Sequence, residues 1–167
     1  MQTLDAYIAG DATPDAVAAT VLPQDARRLV WVFTGMGPQW WGMGRQLFEE
    51  EPVYRKVIEQ CDALIKARAG WSLIEQLNAS EDDSQMANTW LAQPANFALQ
   101  IALAALWRSH GVTPAAIVGH SAGEAAAFYE AGVYSLDYAI TIIVERSRLQ
   151  HLCNGTGVML AVSLSEA

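Results

Sequence analysis

The sequence predicts an α/β fold in which helices flank a short parallel sheet, and two apolar segments carry this prediction. Leu29–Phe33 is a continuous run of β-branched and aromatic residues, typical of a strand buried on both faces. Ala115–Val118 is a second β-rich run. Each run leads into a glycine-containing turn. Because open α/β sheets bind ligands at the carboxyl ends of their strands, these two turns are where a site is expected.

The region around the first predicted strand divides into a lead-in and a loop. Residues 1–28 contain turn chemistry, a possible short helix over residues 14–19 and a polar connector, so they are interpreted as a linker. The strand Leu29–Phe33 is followed by Thr34–Gly44, a loop that contains four glycines. We expect this loop to lie at the carboxyl end of the strand.

Two helices are predicted between this loop and the second strand. The first begins near Pro52, is broken at Gly70–Ser72 and carries an apolar stripe of Val53, Val57, Cys61, Leu64 and Ile65. The second opens at Gln93–Pro94, with the proline near the first helical position. Its stretch Phe97–Trp107 is apolar almost all round and is therefore predicted to be central.

Two more helices and a third strand are predicted after Val118. Glu124–Tyr129 is helix-forming, and Ser135 or Asp137 is expected to cap a helix that ends near Gln150. Val158–Val162 is typical of another strand, and the following residues resemble the start of a helix, where the sequence stops. We therefore expect an apolar strand that lacks its next covering layer.

Composition excludes several classes of protein. The 167 residues are 52% hydrophobic and 17% charged, which indicates a globular domain with a substantial core. A net charge of −8 without a basic cluster argues against nucleic acid and anionic membranes as partners. No secretory signal or membrane span is recognisable, so a cytoplasmic protein is expected. The two cysteines have neither metal-ligand spacing nor the number that a disulfide framework needs.

The most informative motif is Gly119-His120-Ser121-Ala122-Gly123, which lies between a predicted strand and a predicted helix. This is the pattern of a nucleophile elbow, in which a sharp turn exposes the serine Oγ at the corner. Small residues are needed because the turn brings the backbone close to neighbouring strands. The helix that follows would present free N–H groups to a developing oxyanion. Ser121 is therefore the predicted nucleophile.

A serine nucleophile needs a base, and no histidine of this sequence is well placed to serve as one. His120 adjoins Ser121 in the turn, so its ring should point away from the serine Oγ. His110 is expected at the surface at a helix end, and His151 follows the last predicted helix as a weak candidate.

Four motifs together resemble one family. They are Phe33–Gly44, Gln93–Pro94, Gly119–Glu124 and Glu145–Gln150, in this order. The chain is similar to the acyltransferase domain, of the malonyl-CoA:acyl carrier protein transacylase type, found in modular polyketide and fatty-acid synthases. The resemblance implies an α/β-hydrolase-like sheet, followed by a ferredoxin-like subdomain that this chain only begins. It also implies a linker over residues 1–28 of the type that joins a ketosynthase to this domain, a partial large subdomain over 29–154, and the first small-subdomain strand within 155–167.

The resemblance also assigns roles to individual residues. Ser121 would carry the acyl group, and the backbone N–H groups of Met36 and Ala122 would form the oxyanion hole. Many relatives have glutamine at the position of Met36, but the main-chain group is the same. Arg146 would bind the free carboxylate of a malonyl-type unit, for which a planar guanidinium is well suited. Gln39 and Gln93 are expected to line the substrate pocket or to fix its loops, and His120 is expected to line it. Arg148 is interpreted as a surface or ion-paired arginine.

The family's catalytic histidine lies in a later segment that this chain does not reach. The chain is therefore interpreted as the N-terminal portion of an acyltransferase, inactive by itself. The implied substrate is malonyl-CoA or a substituted malonyl-CoA, with no bound cofactor or metal. The implied partners are an acyl carrier protein, a ketosynthase and the remaining acyltransferase segments.

Two alternatives remain open from the sequence. A serine hydrolase such as a thioesterase shares the elbow, although Arg146 and the Gly35-Met36-Gly37 loop are unlike its usual features. The chain could also be a fragment or degenerate domain with a purely structural role, which the missing histidine favours.

Overall fold

The computed structural model describes residues 28–157 except Pro38, together with the isolated positions 8, 9, 20 and 23. Apart from residue 28 and those isolated positions, the predicted linker lies outside the described residues, as do its short helix over residues 14–19 and the predicted strand Val158–Val162. The elements of the described part are β1 (Val30–Phe33), α1 (Arg45–Glu50), α2 (Pro52–Ala69), α3 (Leu73–Leu77), α4 (Thr89–Ser109), β2 (Ala116–Gly119), α5 (Gly123–Glu130) and α6 (Leu136–Leu152).

The two strands pair in parallel, and helices α1–α4 lie in the connection between them. Val30 is opposite Ala116 and Phe33 is opposite Gly119. The pairing continues past the strand end, because the His120 N–H donates to the Phe33 carbonyl at 2.9 Å. This register places the loops after β1 and β2 side by side. The predicted α/β fold with a short parallel sheet and flanking helices is confirmed in these terms.

Helix α4 forms the centre of the core, packed against α2, α5 and α6. The prediction that Phe97–Trp107 is central holds only for its first part: Phe97, Ala98, Leu99, Ile101, Ala102 and Ala104 are buried, whereas Leu103 and Trp107 are exposed. Within the described ranges, none of the helices combines the length and apolarity that crossing a membrane requires.

The start of α4 was predicted wrongly. The helix begins at Thr89, and the Asn88 Oδ1 caps it by accepting from the Trp90 N–H at 3.1 Å. Pro94 therefore lies inside the helix, where its ring nitrogen cannot donate to the Trp90 carbonyl. An N-cap residue determines the helix start more strongly than a proline that the second turn can accommodate.

The predicted apolar stripe of α2 is shifted from the buried one. The structure buries Tyr54, Ile58, Cys61 and Ile65 on this helix. Val53 is exposed, while Val57 and Leu64 are only half-buried. The apolar stripe was misplaced partly because Tyr54 was not counted as apolar. Its whole side chain, including the hydroxyl group, is buried in the core.

The prediction that β1 is buried on both faces is wrong for the described part of the chain. Phe33 is buried, but Val30 and Val32 are 52% and 64% exposed. They border a groove of about 580 Å³, which we call the β1 groove. It is lined by Leu29, Val30, Trp31, Val32, Phe33, Gln100, Leu103, Ala104, Trp107 and Val112. In the described part of the chain the groove lies between β1 and α4, and no further element fills it.

Glycines allow α5 to pack directly on the end of the sheet. A Cβ on Gly119 would lie 2.6 Å from the Glu124 Cα, which is inside van der Waals contact. A Cβ on Gly123 would collide with the carbonyl oxygens of Phe33 and Thr34, the latter at 2.6 Å. Both obstacles are backbone atoms, which cannot move aside as a side chain can. The first turn of α5 is thereby held against β1.

We expect Gly123→Ala to destabilise the protein by about 1–3 kcal/mol, because the added methyl group must push α5 away from β1. Urea denaturation measures this loss of unfolding free energy. The matched control is Gly157→Ala, since no described residue lies within 4 Å of its Cβ position and its φ is not positive. Equal stability of the two variants would contradict the close packing of α5 on β1.

Candidate active site

Ser121 occupies a strained position between β2 and α5. Its φ is 54°, the only positive φ at a non-glycine residue in the described part of the chain. Left-handed backbone is uncommon for a serine and costs free energy unless the surroundings impose it. Two turn hydrogen bonds fix it: the Gly123 N–H donates to the His120 carbonyl at 3.0 Å, and the Glu124 N–H to the Ser121 carbonyl at 3.1 Å. The serine itself remains exposed.

The loop after β1 lies directly against this turn. A Cβ on Gly35 would lie 3.2 Å from the Ser121 Cβ and 3.3 Å from the His120 carbonyl oxygen. The next residue, Met36, packs its side chain against the core. The loop and the turn thus meet at the carboxyl edge of the sheet, as predicted for both segments.

Among the described hydrogen bonds, the backbone of the turn leaves the Ala122 N–H group next to the serine available. Among the described backbone hydrogen bonds, the turn uses the N–H groups of Gly123 and Glu124 but not that of Ala122. Ala122 is also the N-cap residue of α5, so the N-terminal end of that helix faces the same side. Such an end favours negative charge.

Arg146 reaches Ser121 from α6. Its Nη2 donates a hydrogen bond to the Ser121 Oγ at 3.2 Å, although 25 residues separate the two in sequence. A guanidinium has five donors and no acceptor, so the serine oxygen is the acceptor here and Arg146 cannot remove its proton. The contact places a permanent positive charge beside the exposed hydroxyl group.

Two glutamines hold the other end of the guanidinium. The Arg146 Nη1 donates to the Gln93 Oε1 and, at 3.2 Å, to the Gln150 Oε1. The Gln93 Nε2 donates to the same Gln150 oxygen at 2.7 Å. Gln93 is completely buried, so its amide lies in the floor of the site while Gln150 is on the exposed rim.

Gln39 acts within the loop after β1. Its Oε1 accepts from the Gly37 N–H at 2.7 Å and from the Asn96 Nδ2 at 3.4 Å. Because Asn96 belongs to α4, the side chain of Gln39 ties the glycine-containing loop to the central helix. Among the described residues, Gln39 forms no hydrogen bond with Ser121 or Arg146.

The three histidines occupy different surroundings. The Nδ1 of His120 lies 3.4 Å from the Cβ position of Gly35, on the loop after β1. His110 caps the end of α4, about 25 Å along the helix from Gln93. The His151 Nδ1 is 3.2 Å from the Asn154 Nδ2 at the end of α6. The only side chain bonded to the Ser121 Oγ in the described ranges is that of Arg146.

Two other reactive or charged groups are occupied elsewhere. Burial, with a smaller contribution from Asp62, raises the pKa of the Cys61 thiol to about 12, so it stays protonated inside the core. The Arg148 Nε forms an exposed ion pair with the Glu145 Oε2 at 2.9 Å. The interpretation of Arg148 as an ion-paired surface arginine is confirmed.

Ser121, Arg146 and Gln93 were predicted as site residues from the sequence, whereas Gln150 was given no role. A signal was present, since Gln150 follows Arg146 by four residues and so lies on the same face of α6. That spacing had no evident meaning before the structure showed which face of α6 meets α4.

The comparison with protein families supports the resemblance. The model of the acyl transferase domain matches residues 30–167. Erythronolide synthase EryA2 of Saccharopolyspora erythraea is 42% identical over 159 residues, which are 95% of this chain and 4% of that protein. The chain thus spans a small fraction of the multidomain synthases to which it is similar.

Solved structures give the same result at the level of the fold. A loading acyltransferase of the avermectin modular polyketide synthase is 41% identical with a TM-score of 0.72, over 76% of this chain and 40% of that one. The malonyl-CoA:ACP transacylase of Synechocystis sp. PCC 6803 is 30% identical with a TM-score of 0.67, over 77% and 42%. The match covers less than half of each structure. On the family match and these similarities, this chain belongs to the acyl transferase domain family.

Proposed function

We propose that this chain is the nucleophile-bearing part of a polyketide synthase acyltransferase. It would take a malonyl-type unit from coenzyme A onto Ser121 and pass it to the phosphopantetheine thiol of an acyl carrier protein. The observation that carries this proposal is the hydrogen bond between the Arg146 guanidinium and the exposed oxygen of Ser121. A hydroxyl group with a fixed cation at its side suits an acyl group that carries a carboxylate.

The reaction has two steps that share one oxyanion site. The Ser121 Oγ attacks the thioester carbonyl while a base takes its proton, and the N–H groups of Met36 and Ala122 stabilise the oxyanion. Collapse breaks the carbon–sulfur bond, and the coenzyme A thiolate leaves with a proton. The carrier thiol then attacks the acyl-serine in the same way and frees the hydroxyl group. The Ala122 N–H, unused by the turn, supports its role in this scheme.

Arg146 would select the acyl group. When Ser121 is acylated, its oxygen becomes part of an ester and the carboxylate of the malonyl group would replace it as partner of the Nη2. Two parallel hydrogen bonds from a guanidinium to a carboxylate are stronger than any that a neutral acetyl group offers. Gln93 would hold Arg146 in place, while Gln39 and His120 would shape the pocket wall through the loop after β1.

The general base would come from another segment. Arg146 cannot accept a proton, and none of His110, His120 and His151 is bonded to the serine oxygen. The family resemblance places a histidine in a later segment, with the α/β-hydrolase-like sheet continuing and a ferredoxin-like subdomain inserted. The linker over residues 1–28 and the partnership with a ketosynthase belong to this same proposal.

Acyl transfer and hydrolysis can be separated by one assay. The full-length protein is incubated with malonyl-CoA, with and without a pantetheine thiol, and both thioester product and free malonate are measured. We expect thiol-dependent product to exceed free malonate and both to disappear in Ser121→Ala, since the nucleophile is lost. Free malonate that is independent of the thiol would identify a thioesterase instead. If Ser121→Ala still forms both products, Ser121 is not the nucleophile.

Replacing Arg146 should change which acyl group is loaded. We expect Arg146→Ala to lower the preference for malonyl over acetyl groups by about 2–5 kcal/mol, because the carboxylate loses its charged partner. The preference is the ratio of kcat/KM values for the two coenzyme A thioesters.

The matched control is Arg148→Ala, on the same helix and paired only with the exposed Glu145. Arg148→Ala should leave the malonyl-to-acetyl ratio unchanged, because Arg148 is bonded to Glu145 and not to Ser121. It should also leave the fold intact, since an exposed ion pair contributes little to stability. An unchanged ratio in Arg146→Ala would refute the assignment of Arg146 as the carboxylate ligand.

Residues 1–167 alone should have no significant transferase activity and should associate in solution. The described residues offer Ser121 no base, and the β1 groove exposes apolar side chains beside an unpaired strand edge. Size-exclusion chromatography and acylation from malonyl-CoA test both statements. A stable monomer of this span that acylates itself would overturn them and direct attention to His151.

A further inference from the structure

We infer that Gln150 is a positioning residue that fixes the orientation of the Gln93 amide and, through it, the guanidinium of Arg146. The inference rests on the proposed function, because it concerns the same carboxylate site. It starts from Gln93, whose side chain is completely buried. A buried amide must find partners for both its oxygen and its nitrogen.

The two ends of the Gln93 amide are satisfied by different residues. Its Oε1 accepts from the Arg146 Nη1, and its Nε2 donates to the Gln150 Oε1 at 2.7 Å. Gln150 is the only described side chain bonded to that Nε2. It is therefore the residue that decides which end of the amide faces the arginine.

The orientation matters because an amide has two opposite ends. If the Gln150 oxygen were absent, the Gln93 nitrogen would be left buried without an acceptor. Rotating the amide would not help, because its NH2 group would then face the donors of Arg146. Either arrangement weakens the hold on the Nη1 and lets the guanidinium turn away from Ser121.

Gln150 also contacts Arg146 directly. The Arg146 Nη1 donates to the Gln150 Oε1 at 3.2 Å, so two amide oxygens share one end of the guanidinium. The other end, Nη2, is left directed at the Ser121 Oγ. Because the guanidinium is planar and rigid, fixing the Nη1 also fixes the direction of the Nη2. The spacing of four residues on α6 makes this arrangement possible.

The test is Gln150→Leu in the full-length protein, assayed with malonyl-CoA and acetyl-CoA. We expect the malonyl-to-acetyl ratio of kcat/KM values to fall about five- to tenfold, mainly through a higher KM for malonyl-CoA. Losing a hydrogen bond to a charged group outright would cost more, about 13- to 160-fold, and Gln150→Leu only weakens the bond that Gln93 accepts. The acetyl values should stay within twofold, because an acetyl group has no carboxylate for Arg146 to bind.

Coupling to Arg146 separates positioning from a general structural effect. In an Arg146→Ala background, Gln150→Leu should leave the ratio unchanged, since the group that it positions is gone. Gln46→Leu is the matched control. It also loses an amide hydrogen bond, to the exposed Glu50 on α1, and should not alter the ratio. Urea midpoints of both variants show that the fold is retained.

Two results would overturn the inference. An unchanged ratio in Gln150→Leu, together with a changed ratio in Arg146→Ala, would show that Gln150 does not position the arginine while the proposed function stands. If the effects of Gln150→Leu and Arg146→Ala on the ratio simply add in the double variant, Gln150 likewise does not act through Arg146. If Arg146→Ala leaves the ratio unchanged, the carboxylate site itself is refuted, and the role of Gln150 with it.

Discussion

The close packing of α5 on the end of β1 determines where the candidate nucleophile lies. A Cβ on Gly123 would collide with the carbonyl groups of Phe33 and Thr34, and a Cβ on Gly119 would collide with the backbone of α5 at Glu124. The chain must therefore reverse direction within three residues, which forces the positive φ of Ser121. This strain exposes the hydroxyl group and keeps the loop after β1 at its side. The serine, the turn and the loop are consequences of one packing constraint.

A second constraint is the pairing of a buried amide where α4 contacts α6. Gln93 lies in the buried part of α4, where its amide must be paired, and both of its partners are on α6. Satisfying that amide brings Arg146 to the serine. The positive charge at the site is thus held by the core, while Arg148, two residues further along α6, faces solvent and pairs locally.

The parts of the fold that depend on local chemistry could be predicted from the sequence. Glycines at positions 119 and 123 around a serine, between an apolar run and a helix-forming run, indicated the turn before any coordinates. Long-range properties could not be predicted in this way. The start of α4 was misplaced because Pro94 is tolerated inside a helix that Asn88 caps. The burial of β1 was overestimated, because Val30 and Val32 line an open groove in the described part of the chain. Gln150 was overlooked because its importance comes only from the amide that it meets.

The most direct test of this account is to identify the acylated residue. The full-length protein would be mixed briefly with malonyl-CoA, quenched in acid and digested, and its peptides analysed by mass spectrometry. We expect one malonyl group on Ser121, in the peptide that contains this residue, and much less acetyl group on the same serine after treatment with acetyl-CoA. A malonyl group on another residue, or none on Ser121 while transfer to a carrier thiol proceeds, would contradict the central claim.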